Sequence, residues 1–151
     1  MQATFFVCSG RLDTPSFLRG EHVKELRARG MGIGSHGVAH RSWRRMCSSD
    51  LRGELEESRG SLELLCQEPI TQAACPFGDY DRHVLSELRR TGYTRVFTSD
   101  GGKAETSGWL MARNTVRTTT TLDDVSAILA PAPYWRRLAD GMRRAVKSRR
   151  W

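Results

Sequence analysis

Ala3-Thr-Phe-Phe-Val7 and Met31-Gly-Ile-Gly34 flank a segment in which Leu18, Val23 and Leu26 recur at near-helical spacing, and this strand-helix-strand order decides the fold. β-branched and aromatic residues favour an extended first run, Ser9-Gly10 closes it, and Pro15 lies in the turn before the helix. Gly30 stops that helix, because a residue without Cβ enters the left-handed conformation of a helix end at no steric cost. The unit then recurs downstream. Ser48-Ser49-Asp50 can cap a helix whose apolar positions Leu51, Leu55, Leu62 and Leu65 share a face, with Glu54, Glu56 and Glu57 in its early turns. Pro69 bars its continuation, Ile70 to Ala74 reads as a short strand, and Asp81 to Arg90 carries Val84, Leu85 and Leu88 at helical spacing before Gly92. Tyr93 to Phe97 is a further strand ending at Ser99-Asp100-Gly101-Gly102, and Trp109 to Met111 is another, leading towards Val116. Thr121-Leu-Asp-Asp124 resembles a capping box ahead of Val125, Ile128 and Leu129. Strands alternating with helices predict an α/β fold with parallel strands, and they direct the search for function to the carboxyl ends of those strands.

The chain has 151 residues, 38% hydrophobic and 27% charged, which suits one globular domain and excludes disordered, collagenous and membrane-spanning classes. Cysteines 8, 47, 66 and 75 form no Cys-x-x-Cys pair, and Met1 leads directly into a strand without a leader pattern. Both features predict reduced thiols and a cytoplasmic location for the chain as written; an exported or envelope location stays open should a segment precede Met1. Of the net charge of +7, residues 136–150 hold seven basic side chains and one Asp, which leaves the remainder nearly neutral. Trp135, Leu138, Met142, Ala145 and Val146 fall on one helical face there, so residues 131–151 read as a basic amphipathic helix appended to a domain at 1–130. Such a helix can cover an open edge of the fold, meet a partner or lie on an anionic membrane surface. Nucleic acid is not expected, because the basic residues sit in a tail and not across a folded face.

Two short motifs carry chemistry. Ser35-His36-Gly37-Val38-Ala39-His40 sets two imidazoles four residues apart at the end of a glycine-rich strand, a metal-ligand spacing. Zinc accepts such a pair together with a carboxylate and a water, whose pKa it lowers towards neutrality. Two solvated loop histidines are the alternative. After the next strand, Ala74-Cys75-Pro76-Phe77-Gly78-Asp79-Tyr80 forms a tight loop whose backbone N–H groups can face a developing oxyanion, or an ordinary turn.

Taken together, Ala3 to Val7, Gly30 to His40, Glu54 to Ser58 and Pro76 to Tyr80 closely resemble the polysaccharide deacetylase family, also called NodB-homology or carbohydrate esterase family 4, over residues 3 to 116. The resemblance implies an incomplete or distorted (β/α) barrel and a divalent metal, commonly zinc. It also implies hydrolysis of acetyl groups on the N-acetylated sugars of a polysaccharide or oligosaccharide. His36 and His40 match the metal-binding histidines, and Phe77 matches the aromatic position whose backbone amide holds the oxyanion. Pro76 and Gly78 complete that loop beside the substrate. By residue type, Trp109 reads as a core aromatic first and as a stacking face for sugar second.

The sequence departs from the family pattern in three places. The Thr-Phe-Asp-Asp motif, source of the general base and a third metal ligand, belongs on a strand before Ala3, so the chain reads as lacking its first strand. The late Leu-x-His motif, source of the general acid, has no match. The arginine two positions before the proline is Ala74, for which Arg113 is a candidate substitute; Asp100, ahead of Gly101-Gly102, reads as a turn residue first and as a replacement ligand second. A missing acid or base commonly costs ~10²- to 10⁴-fold in rate, so impaired activity is expected. A catalytically degenerate carbohydrate-binding relative, or a membrane-surface or polyanion-binding protein acting through the tail, are the alternatives. His22 and His83 fall on helices and Cys75 reads as an inert buried thiol.

Overall fold

The computed structural model describes residues 2–102, 108–130, 141–142, 145–147 and 149. Five strands, β1 (Thr4–Val7), β2 (Gly32–Ser35), β3 (Gln72–Ala74), β4 (Arg95–Thr98) and β5 (Leu110–Ala112), form one sheet in sequence order with every pair parallel. Helices α1 (Gly20–Ala28), α2 (Ser48–Cys66) and α3 (Arg82–Arg90) connect the first four strands, and α4 (Leu122–Leu129) follows the fifth. Strictly sequential parallel order is barrel winding, as opposed to the doubly wound order in which the chain reverses direction along the sheet. The incomplete barrel predicted from sequence is therefore the observed architecture.

Side chains alternate between the two faces of the sheet. Val7, Ile33, Ala73 and Val96 point to the helices and form the core with Leu51, Leu55 and Leu62 of α2 and Val84 and Leu88 of α3. The opposite face carries Thr4, Phe6 and Phe97 above glycines of β2. A Cβ on Gly34 would lie 2.6 Å from the Phe6 ring, so only glycine lets that ring cross β2 towards Phe97, 5.0 Å away between ring centroids.

Local sequence signals place the elements within a residue or two. Asp81 caps α3 by accepting from Val84 N at 2.9 Å, and Thr121 with Asp124 forms the expected capping box of α4. The N-terminus of α2 differs from expectation: Cys47 is the N-cap, with no side-chain cap bond. Among the described residues no helix is long and apolar enough to cross a membrane. The helix predicted over 131–151 falls mostly outside the described residues.

Candidate active site

β2 ends at Ser35, and His36 N donates to Val7 O at 2.9 Å, which continues the β1 pairing by one residue and sets the ring at the carboxyl end of the sheet. His36 Nδ1 lies 2.7 Å from Ala74 O. A carbonyl can only accept, so Nδ1 carries the proton and Nε2 keeps its lone pair, the state a metal ligand requires. Burial pulls this imidazole below its ordinary 6.5, with His40 and Arg113 adding to the shift and the Ala74 bond opposing it. His36 is therefore neutral at physiological pH.

His40 comes back to the site through a left-handed backbone at φ 56°, and its ring centroid is 4.9 Å from that of His36 and 4.6 Å from that of Phe77. Glu54 on α2 holds this loop. Only 4% exposed, it accepts from Val38 N at 2.8 Å and from Ala39 N at 3.3 Å, and Arg41 Nε lies 3.5 Å from its other oxygen. Gly37, at φ 78°, must be glycine, since a Cβ would sit 2.5 Å from Glu54 Oε2.

Pro76–Gly78 forms a tight 3-10 turn after β3, with Phe77 left-handed at φ 58° and 65% exposed. The turn's own bonds are Gly78 N to Cys75 O at 2.9 Å and Asp79 N to Pro76 O at 3.0 Å, which leave Phe77 N–H outside its pairing. Gly78 packs so closely on the residue after β4 that a Cβ would meet Ser99 N at 2.7 Å. Two carboxylates tie this loop to the one after His40: Asp79 accepts from Ser42 Oγ at 2.9 Å, and Asp81 accepts from Arg45 N at 3.0 Å.

Arg113 follows β5, anchored by its N–H to Thr98 O at 3.0 Å, and its guanidinium lies 5.2 Å from the Phe6 ring centroid. Among the described residues no carboxylate pairs with it. It faces the interior side of the sheet and contributes positive potential at His36. A cleft of about 240 Å³ opens beside this site, with Phe6, Arg11, Phe17, His36 and His40 among its walls.

Other candidates lie elsewhere. Trp109 precedes β5 at the amino end of the sheet, where Nε1 donates to Tyr93 O at 2.7 Å and Arg89 covers its face at 4.4 Å from the centroid. The structure does not bring it to the histidines, because a residue before a parallel strand sits at the end opposite the active loops. Asp100 is engaged by Tyr80 Oη at 2.7 Å, Thr98 Oγ1 at 2.9 Å and Lys147 Nζ at 2.7 Å, and it is not grouped with the histidines. Burial pushes the Cys75 thiol up to about 12, which keeps it protonated. His22 accepts from Arg19 N at the start of α1, and His83 lies 3.4 Å from Ser48 Oγ.

The rings of His36 and His40 lie close enough for both to be candidate ligands of one divalent ion. Among the described residues no group of three His, Cys, Asp or Glu side chains forms, whereas catalytic zinc ordinarily takes three protein ligands. The loop-holding role of Glu54 and the Ser42–Asp79 and Arg45–Asp81 ties are not among the sequence expectations. Glu54 did leave a signal, since a carboxylate between Leu51 and Leu55 on a buried stripe needs a polar partner.

The family model for polysaccharide deacetylase matches residues 1–96. A protein of Bacillus subtilis (strain 168) carrying the name polysaccharide deacetylase YxkH is 25% identical over 117 residues, covering 78% of this chain and 42% of that protein. Among solved structures, Streptococcus pyogenes deacetylase PplD in complex with acetate aligns with TM-score 0.78 and 22% identity, over 86% of this chain and 59% of that one. BC0361, a polysaccharide deacetylase from Bacillus cereus, aligns with TM-score 0.75 and 24% identity, over 85% and 42%. The chain thus spans less than two thirds of each relative, and the structural likeness concerns the fold.

Proposed function

Because the chain belongs to the polysaccharide deacetylase family, we propose that its site hydrolyses the acetamide C–N bond of N-acetylated sugars in a polysaccharide, with a divalent ion, zinc by preference, held by His36 and His40. The observation carrying this reading is the paired imidazoles, 4.9 Å apart, with His36 Nδ1 committed to Ala74 O beside the Phe77 turn. An ion bound there would supply Lewis acidity at the acyl carbonyl and lower the pKa of attacking water.

The chain's own residues do the rest. Phe77 N–H is available to an oxyanion because its loop does not use it, and a fixed backbone donor of this kind is worth about 10²- to 10³-fold in rate. Arg113 adds positive potential on the same side of the sheet. Pro76 and Gly78 fix the turn that borders the substrate. Acetate and a free amino sugar are the products.

One observation favours a second reading, a carbohydrate-binding relative without hydrolysis: among the described residues no carboxylate joins the histidine pair to act as base. Zinc titration followed by incubation with N-acetylglucosamine oligomers separates the two. The deacetylase reading predicts one bound metal and metal-dependent acetate release, both lost in a His36→Ala/His40→Ala variant. Oligomer binding with metal present but no acetate establishes the second reading, and absence of both metal and oligomer binding removes the two together.

A further inference from the structure

We propose that Lys147 is a positioning residue for the Pro76–Gly78 loop, so that the basic tail supplies part of the oxyanion site; this rests on the reading of Phe77 N–H as the oxyanion donor. Lys147 Nζ donates to Gly78 O at 3.0 Å and to Asp100 Oδ1 at 2.7 Å, and lies 4.8 Å from the Tyr80 ring centroid. The bond to Gly78 O acts through two linked peptides. The peptide that carries Gly78 O also carries Asp79 N–H, which donates to Pro76 O at 3.0 Å, and the peptide that carries Pro76 O carries Phe77 N–H. Holding the first therefore orients the second.

The loop needs such a hold because Phe77 is a left-handed non-glycine residue with an exposed ring, a conformation that relaxes unless neighbours fix it. Asp100 gathers the hold into one network, accepting from Tyr80 just past the loop, Thr98 at the end of β4 and Lys147, 47 residues further along. Lys147 is its one cationic partner among the described residues. Burial pushes the Asp100 carboxyl up, but the bonds from Lys147, Tyr80 and Thr98 outweigh it and hold the group below its usual range. One ammonium thus anchors both the loop carbonyl and the carboxylate behind it.

The test uses the full chain with Lys147→Met, which keeps the apolar stem, and Lys147→Arg, which keeps the charge. In Lys147→Met the amide hydrogens of Gly78 and Asp79 should exchange about tenfold faster, the scale of losing a charge-assisted hydrogen bond, while α2 amides stay unchanged. The Asp100 carboxyl, followed by carbon NMR, should titrate at higher pH, and Lys147→Arg should restore both readouts. Unchanged exchange and titration in Lys147→Met, or acceleration spread evenly into α2, would overturn the proposal. These readouts need neither metal nor substrate. A wild-type chain that releases no acetate would remove the deacetylase reading and leave the contact standing, whereas metal-dependent release with unchanged loop exchange would remove this proposal alone. With release present, Lys147→Met should lower kcat more than it changes KM.

Discussion

The two loops of the site solve the same problem with different anchors. Each returns a functional group through a left-handed non-glycine residue, His40 at φ 56° and Phe77 at φ 58°, and each is held by a carboxylate from another element. Glu54 bonds backbone N–H groups of the histidine loop from the buried face of α2. Asp100 bonds only side chains, one of them Lys147 from the tail, and the ammonium makes the contact to the loop backbone itself. The histidine loop is therefore held at its backbone by a carboxylate in the core, while the Phe77 loop adds to its buried Pro76 and Gly78 and its Asp79 and Asp81 ties a charge pair that is partly exposed. Metal binding should follow core stability, and oxyanion geometry should follow the Asp100–Lys147 pair.

Glu54→Ala tests this most severely, because it leaves two loop N–H groups without an acceptor. We expect a loss of about 3 kcal/mol in denaturant unfolding together with lost metal binding. Glu54→Gln, which keeps one acceptor oxygen, should recover most of both. Gly37→Ala combines a positive φ with the approach to Glu54 and should cost about 2 kcal/mol. If Glu54→Ala unfolds no more easily than Asp100→Asn, the asymmetry between the loops is wrong.

A third check varies pH on the metal-free chain. The His36 imidazole titrates below its ordinary 6.5 when folded, so on acidification the unfolded chain takes the proton first. Stability should be complete above that value and decline as pH falls through it and below. Denaturation midpoints from about pH 5 to pH 8 should show this slope in wild type and a shallower one in His36→Ala. Phe77→Gly should do least. Relief of the left-handed backbone offsets the added freedom of the unfolded chain, so stability should stay within about 0.5 kcal/mol of wild type and metal affinity should hold. A large loss of metal binding would mean that the ring against His40, and not Glu54, positions that imidazole.

Much of this was legible in the sequence for physical reasons. Apolar periodicity in α2 and α3, the glycine after α1 and the Thr121 capping box are local signals, and local signals placed the elements. His36 and His40, four residues apart at a strand end, and Pro76-Phe77-Gly78 were found the same way. The ties were not. Ser42 and Asp79 are 37 residues apart, Arg45 and Asp81 36, and Asp100 and Lys147 47, distances at which no periodicity links the partners. Trp109 admits two readings in the sequence, a core aromatic and a sugar-stacking face, and its packing against the core before β5, at the sheet's amino end, favours the first.

With Nδ1 bonded to Ala74 O, Nε2 of His36 is the nitrogen left to meet a metal. Long-range nitrogen–proton NMR of the imidazoles, before and after one equivalent of Zn²⁺, should show His36 protonated at Nδ1 in the metal-free chain, with Nε2 of His36 and one nitrogen of His40 shifting together on addition. Protonation at Nε2, or a metal response confined to His22 and His83, would contradict it.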